Sequence, residues 1–198
     1  MSSTRFYHSL ALILFALPGC TFNVRPGMPV PPDDPGQSMV ECEVLLIVSE
    51  ELLDSEYVSS LSTFSPIFTG SEARIHAGEP AAEAIEALVR SRFKVVTKQM
   101  AKGSGSDEFF HAVTASVLND RLVMRPRITL VESVARPARY DIELGITVDT
   151  AGLSVRETPT GSGTGTASVY TRAAIRKAAD DALSAAVAAV ASRFPTCR

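Results

Sequence analysis

The stretch EVLLIVS, at residues 43–49, decides the fold. It is a run of mostly branched apolar residues in which polar and apolar positions do not alternate. Strands that are covered on both faces have this composition, because neither face meets water. We therefore predict a strand at the centre of a sheet, and we take it as the first strand of the domain.

The next elements along the chain predict a parallel β-α-β unit. Residues 50–56 suit a short helical turn. Residues 79–93 place apolar side chains at steps of three and four, and Pro80 suits the first helical position. Residues 94–99, KVVTKQ, then favour a strand that a right-handed crossover sets parallel to the central one.

The second half of the chain favours an antiparallel meander. Residues 122–134 predict one strand, and residues 140–148, YDIELGITV, alternate with the period of two that marks a half-buried strand. Shorter strands are expected at residues 153–158 and 164–170. The sequence GSGTG at residues 161–165 is interpreted as a flexible turn or a glycine-bulged strand.

Two further helices complete the prediction. Residues 108–119 favour a helix that Asp107 caps. Residues 171–193 favour a long alanine-rich helix whose small side chains permit close packing on a sheet. The chain is therefore predicted to be α+β: a mixed sheet with a parallel β-α-β start and an antiparallel meander, covered by two or three helices, with a long C-terminal helix.

Residues 1–19 have the pattern of an export signal. Arg5 gives the start a positive charge, and residues 10–17 form a short apolar core. The core is too short for a membrane-spanning helix, which needs roughly 20 apolar residues. We expect removal of this segment, a proline-rich tether at residues 20–40, and a single domain at residues 41–198.

The signal ends in Leu17, Pro18, Gly19 and Cys20, which resemble the lipobox of bacterial lipoproteins. In that motif an aliphatic residue, a small residue and Gly or Ala precede an invariant Cys, and Pro18 is a less common choice at its place. The resemblance implies cleavage before Cys20, a diacylglycerol on its thiol and an acyl chain such as palmitate on its amino group. An ordinary secretory peptide or an uncleaved anchor is the alternative.

A lipidated Cys20 would fix the compartment of the domain. Each buried methylene contributes about 0.8 kcal/mol, so several acyl chains hold a soluble domain firmly at a membrane. Thr21 follows the cysteine, in place of the Asp that is associated with inner-membrane retention in enteric bacteria. The resemblance therefore implies the outer membrane, with the domain facing the periplasm.

The order of the predicted elements gives a second resemblance. A strand, a helix and a strand precede a meander with Pro126 in its opening strand, a glycine-rich stretch and a long alanine-rich helix. Over residues 43–194 this order looks like small outer-membrane lipoproteins with a TolB N-terminal-like α/β domain. Members of such groups act by contact, which implies a non-enzymatic cell-envelope lipoprotein that serves as an accessory or assembly factor for another envelope protein.

Aromatic residues mark one candidate binding site. Residues 57–78 lack a helical or strand period, and they include Tyr57, Phe64, Ile67 and Phe68. Long irregular segments are often binding loops, so these four residues could contact a partner. The alternatives are a loop that its own aromatic residues hold on the core, and a ligand-binding or hydrolytic periplasmic lipoprotein with a pocket under the loop.

Other chemistry finds little support in the sequence. The net charge is −3, without a long run of one sign, so nucleic acid is not an expected partner. His76 and His111 lack the spacing of metal ligands, and we find no catalytic motif and expect no cofactor. The densest basic group lies at residues 125–139, where it predicts a solvated strand edge, with contact to anionic headgroups or peptidoglycan as the alternative.

Cys42 and Cys197 remain at the two ends of the domain once Cys20 is committed to lipid. Oxidising compartments permit disulfides, and a bridge that closes so long a loop contributes about 4 to 5 kcal/mol in the loop-entropy model. We therefore predict a disulfide between them. Two unpaired buried thiols are the alternative.

The intact mass of protein extracted from the membrane fraction tests these assignments together. We expect the mass of residues 20–198 plus acyl chains, and a gain of two hydrogen atoms on reduction, because reducing one disulfide adds two hydrogens. A mass without acyl chains would contradict lipidation of Cys20. A mass that reductant leaves unchanged would contradict the bridge between Cys42 and Cys197.

Overall fold

The computed structural model describes residues 21–29, 40–60, 72–101, 121–133, 137–150, 156–169 and 171–193 of the chain. Within these residues the fold is α+β, as predicted, and the strands form two sheets. The strands are β1 (Thr21–Val24), β2 (Val40–Ser49), β3 (Glu56–Ser60), β4 (Glu72–His76), β5 (Phe93–Ala101), β6 (Arg121–Ser133), β7 (Ala138–Thr150), β8 (Arg156–Glu157) and β9 (Thr160–Ala167). The helices are α1 (Glu50–Leu53), α2 (Gly78–Arg92) and α3 (Arg172–Ala191).

The large sheet has the strand order β5-β2-β6-β7-β8, and β9 also pairs with β7. β2 is parallel to both of its neighbours, whereas β7 is antiparallel to β6 and to β9. Val44, Leu46 and Val48 of β2 lie in the main core, while Leu45 and Ile47 are buried on the opposite face. The predicted central strand and the parallel start of the sheet are therefore confirmed.

α2 packs on the core face of the large sheet, and it begins at Gly78, one residue earlier than predicted. A Cβ at Gly78 would lie 1.9 Å from the carbonyl oxygen of Leu52, so the close approach of α1 requires glycine there. Glu86 joins α2 to β5, because its carboxylate accepts hydrogen bonds from Lys98 at 2.6 Å and from Arg90 at 2.9 Å. Both hydrogen bonds lower the pKa of Glu86, and the bond from Lys98 has the larger effect.

The small sheet has the strand order β1-β4-β3, and its first strand corrects the predicted tether. β1 is parallel to β4, and Val24 lies opposite Ile75 with its side chain buried in a second core. Residues 21–29 therefore belong to the domain, because backbone pairing with β4 and burial of Val24 hold them in place. The rest of the predicted tether, residues 30–39, lies outside the described residues.

The small sheet also corrects the irregular segment predicted at residues 57–78. β3 and β4 form an antiparallel pair within it, and residues 61–71 lie outside the described residues. In β4, EARIH, the buried Ala73 and Ile75 alternate with half-buried neighbours. A strand of five residues is too short for this period to stand out in the sequence.

Three glycines of β9 set the distance between α3 and the large sheet. A Cβ added to any of them would overlap a backbone carbonyl oxygen of α3. The distances would be 2.4 Å from Gly161 to Ala186, 1.9 Å from Gly163 to Ala182 and 1.8 Å from Gly165 to Ala178. The pairing of β9 with β7 is unbroken through this stretch. The sequence GSGTG is therefore a regular strand, and its interpretation as a flexible turn is wrong. The close packing predicted for the alanine-rich helix is confirmed.

α3 connects two hydrophobic cores. Its second half packs with α2 and the large sheet, through Ala182, Leu183, Ala186, Val187 and Val190. Its first half packs against the small sheet, through Ile175, Ala178 and Ala179. The small sheet is thereby fixed to the same helix as the large one. None of the described helices combines the length and the apolar character that crossing a bilayer requires.

Two arginines of the basic group at residues 125–139, Arg125 and Arg127, lie on β6 beyond Met124, where the described pairing with β2 has ended and β7 is the paired neighbour. Arg139 lies on β7 between β6 and β9, so the edge prediction is wrong for Arg139. Arg125 forms a salt bridge with Asp149 across the β6–β7 pair, and Arg139 forms one with Asp141 at 2.9 Å. Arg136 and the helix predicted at residues 108–119 lie outside the described residues.

Replacement of Gly163 by Val tests the contact between β9 and α3. We expect the free energy of unfolding to fall by more than about 3 kcal/mol, because the new side chain would force helix and sheet apart. Urea denaturation measures the change, and Ser162→Ala, at an exposed neighbouring position, should stay within about 0.5 kcal/mol of the parent. Equal stability of the two variants would contradict the packing.

Candidate functional site

The pairing register of the small sheet defines one end that is next to Cys20 along the chain and an opposite end. Thr21 of β1 and Ser60 of β3 both lie opposite Glu72, and we call this the anchor-side end. At the other end, which we call the distal end, Val24 lies opposite Ile75, and β3 begins. Thr21 and Val24 are three residues apart, so at about 3.3 Å per residue the two ends of β1 lie about 10 Å from each other.

Of the four residues that the sequence grouped as one binding loop, Tyr57 lies within the described residues. Tyr57 lies in β3, near the distal end. Phe64, Ile67 and Phe68 lie outside the described residues, as do Cys20, Cys197 and the side chain of Cys42. The loop, the lipidation and the disulfide therefore stay predictions, and the geometry of Tyr57 can be described by itself.

Tyr57 lines a small cavity between the small sheet and β6, which we call the Tyr57 slot. Its volume is about 140 Å³. The residues that line it are Ser55, Glu56, Tyr57, Ile75, Ala77, Ile128 and Leu130. Small-molecule sites usually measure about 300–1,000 Å³, so the slot is better matched to a single apolar side chain.

A hydrogen bond across the two sheets holds the Tyr57 ring. Its hydroxyl donates to Oε2 of Glu132 on β6, at 3.3 Å. Burial, followed by the charge of Glu132, raises the pKa of the Tyr57 hydroxyl, which keeps it a neutral donor. Two residues further along β3, Ser59 is fully buried, and its hydroxyl has no hydrogen-bond partner.

Glu56, which lines the Tyr57 slot, lies beside two basic residues of β4. Glu56 lies 3.5 Å from the guanidinium of Arg74 and 3.4 Å from Nδ1 of His76. Arg74 also lies 3.7 Å from Glu72. Four of the residues that line the slot are apolar, and one, Glu56, is charged. Apolar surface beside a polar group is typical of a small docking site for another protein.

A second cavity lies at the distal end on the β1 side, and we call it the arginine cavity. Its volume is about 370 Å³. It is lined by residues 24–28, by Pro80 and Glu83 of α2, and by Arg172 and Arg176 of α3. Three separate parts of the chain thus build it around three arginines.

Two contacts fix the β1 side of the arginine cavity. Arg25 forms a salt bridge with Glu79 at 2.9 Å, and the backbone N–H of Gly27 donates to Oδ1 of Asp180 at 2.7 Å. The segment after β1 is thereby attached to the first turn of α2, through Glu79, and to the third turn of α3, through Asp180. Sequence reasoning missed this site, because it assigned the segment to a tether and no local pattern links it to the helices.

Metal chemistry was not expected from the sequence. In the described part of the chain, no group of three or more His, Cys, Asp and Glu side chains is arranged to hold a metal ion. His76 lies in β4 beside Glu56, and His111 is outside the described residues.

Comparison with known proteins adds no family to these observations. No protein-family model matches the chain, and no curated protein matches it.

Replacement of Tyr57 by Phe tests the hydrogen bond to Glu132. At pH 7 we expect the free energy of unfolding to fall by about 0.5–1.5 kcal/mol, the usual contribution of such a bond. The pKa of the hydroxyl is raised above its ordinary value of 10.0 in the folded state. The contribution of the neutral hydroxyl to the free energy of unfolding is therefore complete below pH 10, and it is lost as the pH rises through the raised pKa.

The difference between the parent and Tyr57→Phe should accordingly shrink above pH 10, as urea denaturation over an alkaline series would measure. Val58→Ala, which alters an exposed side chain of the same strand, serves as the control and should show no such trend. A constant difference between parent and Tyr57→Phe from pH 7 to strongly alkaline pH would contradict the assignment.

Proposed function

We propose that this chain is a lipid-anchored, non-enzymatic lipoprotein of the bacterial cell envelope that assists another envelope protein through direct contact. The observation that carries the proposal is the position of β1. Its first residue, Thr21, is bonded to Cys20 of the lipobox, and it is already paired with β4. The anchor would therefore lead straight into the folded domain, at the outer membrane and facing the periplasm.

This arrangement would orient the domain on the membrane. Acyl chains on Cys20 would hold the anchor-side end of the small sheet near the bilayer. The distal end, with the Tyr57 slot and the arginine cavity, would then face the aqueous compartment. A partner in the periplasm would have access to both cavities.

Contact with protein is supported by the shape and chemistry of the Tyr57 slot. Anchors at protein interfaces are commonly single apolar or aromatic side chains that fill a pocket, and polar groups around them exclude water. The slot offers apolar surface in Ile128 and Leu130 beside the charged Glu56. Its size leaves room for such an anchor.

One observation favours a second function, that of a periplasmic ligand-binding lipoprotein. The volume of the arginine cavity, about 370 Å³, falls within the range of small-molecule sites. A ligand there would have to be anionic, given the three arginines. No observation supports the hydrolytic form of this alternative.

Replacement of Cys20 by Ala tests the anchor. We expect the variant to leave the membrane fraction, because the attachment site of the acyl chains is gone, and to unfold at the same temperature as the parent. Fractionation of cells followed by immunoblotting measures the first, and thermal denaturation the second. Retention of the variant in the membrane would count against the proposal.

A photo-crosslinking amino acid in place of Ser55 tests contact with a partner. We expect one defined crosslinked protein in living cells, since Ser55 lines the slot. The same amino acid in place of Ser162, exposed on β9, is the matched control and should not capture it. Equal capture at both positions, or capture at neither, would contradict docking at the distal end.

A further inference from the structure

We propose that the arginine cavity binds an acidic peptide segment of the partner protein, through carboxylate groups held by Arg172 and Arg176. The inference rests on the proposed function, because it assumes a protein partner in the aqueous compartment. The inference specifies that the partner carries an acidic segment, whereas the Tyr57 slot indicates an apolar side chain. The argument starts from the charges on α3.

Arg172 and Arg176 have no acidic partner among the described residues, whereas five other arginines do. Arg25, Arg74, Arg90, Arg125 and Arg139 each form a salt bridge. Arg172 and Arg176 lie four residues apart on α3, so they are neighbours on one face of the helix. Both line the cavity, and both are exposed there to an incoming ligand.

The position of these two arginines is electrostatically unfavourable. The first turn of a helix carries a partial positive charge and is stabilised by acidic side chains. The first turn of α3 has no acidic residue, and it begins with Arg172. Local rules of this kind are most often broken at functional sites, where a ligand supplies the missing interaction. An anion in the cavity would neutralise the two guanidinium groups.

The lining of the cavity favours a carboxylate on a peptide. Guanidinium groups hold carboxylates through two parallel hydrogen bonds. Pro26 and Pro80 provide apolar surface beside the arginines, and Met28 adds an exposed thioether, with 55% of its surface accessible. Such surface suits the methylene groups of Glu side chains.

Glu83 argues against a more highly charged ligand. Its carboxylate belongs to the lining of the cavity, where it would repel a phosphate dianion more strongly than a single carboxylate. Lipid headgroups of the anchoring membrane are disfavoured by position. The cavity begins at Val24, at the distal end, and about 10 Å of β1 separates it from Thr21.

Fluorescence anisotropy with labelled hexaglutamate tests the inference on the full chain, purified in detergent. We expect saturable binding that weakens as salt is added, because the contacts are ionic. The double variant Arg172→Gln, Arg176→Gln should bind at least about tenfold more weakly, since hydrogen bonds to charged groups are being removed. Glu83→Gln should bind more tightly, because it removes the negative charge from the lining.

Lys177→Gln is the matched control. It removes one positive charge from the same helix, but Lys177 is paired with Asp181 and does not line the cavity. Its affinity should stay within about twofold of the parent. Circular dichroism would verify that all variants are folded, because the substituted residues are exposed.

The competing ligands give the outcomes that would overturn the inference. Labelled hexaglutamine should not bind, and neither inorganic phosphate nor phosphatidylglycerol added to the detergent micelles should displace hexaglutamate at equal charge concentration. Displacement by phosphate would indicate a phosphate site, and displacement by phosphatidylglycerol a headgroup site. Equal binding by the parent and the double arginine variant would remove the site altogether.

These results are separable from a failure of the proposed function. Binding is measured in detergent and does not depend on where the protein lies in the cell. A Cys20→Ala variant that stays in the membrane would refute the anchor while leaving the binding data intact. Correct localisation without hexaglutamate binding would refute the acidic partner alone.

Discussion

The contact between the glycines of β9 and the alanines of α3 fixes the position of every element that builds the distal end. At Gly161, Gly163 and Gly165 the backbones of strand and helix touch, because no Cβ stands between them. The helix then continues along the small sheet, where Ile175 and Ala179 fill the second core. Its first turn consequently lies beside the segment after β1, and a helix displaced by one methyl group would open both the core and the arginine cavity.

The sequence pattern alone was sufficient to predict the elements that bury a long, regular face. β2, α2, β7 and α3 each bury a continuous face over many residues, so their periods are visible without any partner. β1, β3 and β4 are short, and their stability comes from pairing with one another across the sequence. A pairing between residues 21–24 and 72–75 leaves no trace in either segment alone, and the tether prediction failed for that reason.

The candidate site was harder to predict than the fold, for a related physical reason. The sequence identified Tyr57 as an aromatic residue in an irregular segment. The position of its ring depends on the hydrogen bond to Glu132, which lies in the other sheet. The arginine cavity combines parts of β1's extension, α2 and α3 that lie far apart along the chain. The spacing of Arg172 and Arg176 is visible in the sequence, yet the absence of acidic partners in the described structure becomes visible only after folding. Glu86 and Lys98, by contrast, form an ion pair between α2 and β5 at 2.6 Å.

The direction of β1 connects the proposed anchor with the proposed partner. A parallel strand is held at every second residue by hydrogen bonds to its neighbour, so β1 has no freedom to reverse or to slide on β4. Acyl chains on Cys20 would therefore restrict the orientation of the whole domain, and the reach of the distal end would be set by the length of the sheet instead of a flexible linker. A partner would have to present its acidic segment at that height above the membrane. A pairing of β1 in the opposite direction would have placed both cavities against the bilayer, where a protein from the aqueous compartment has no access.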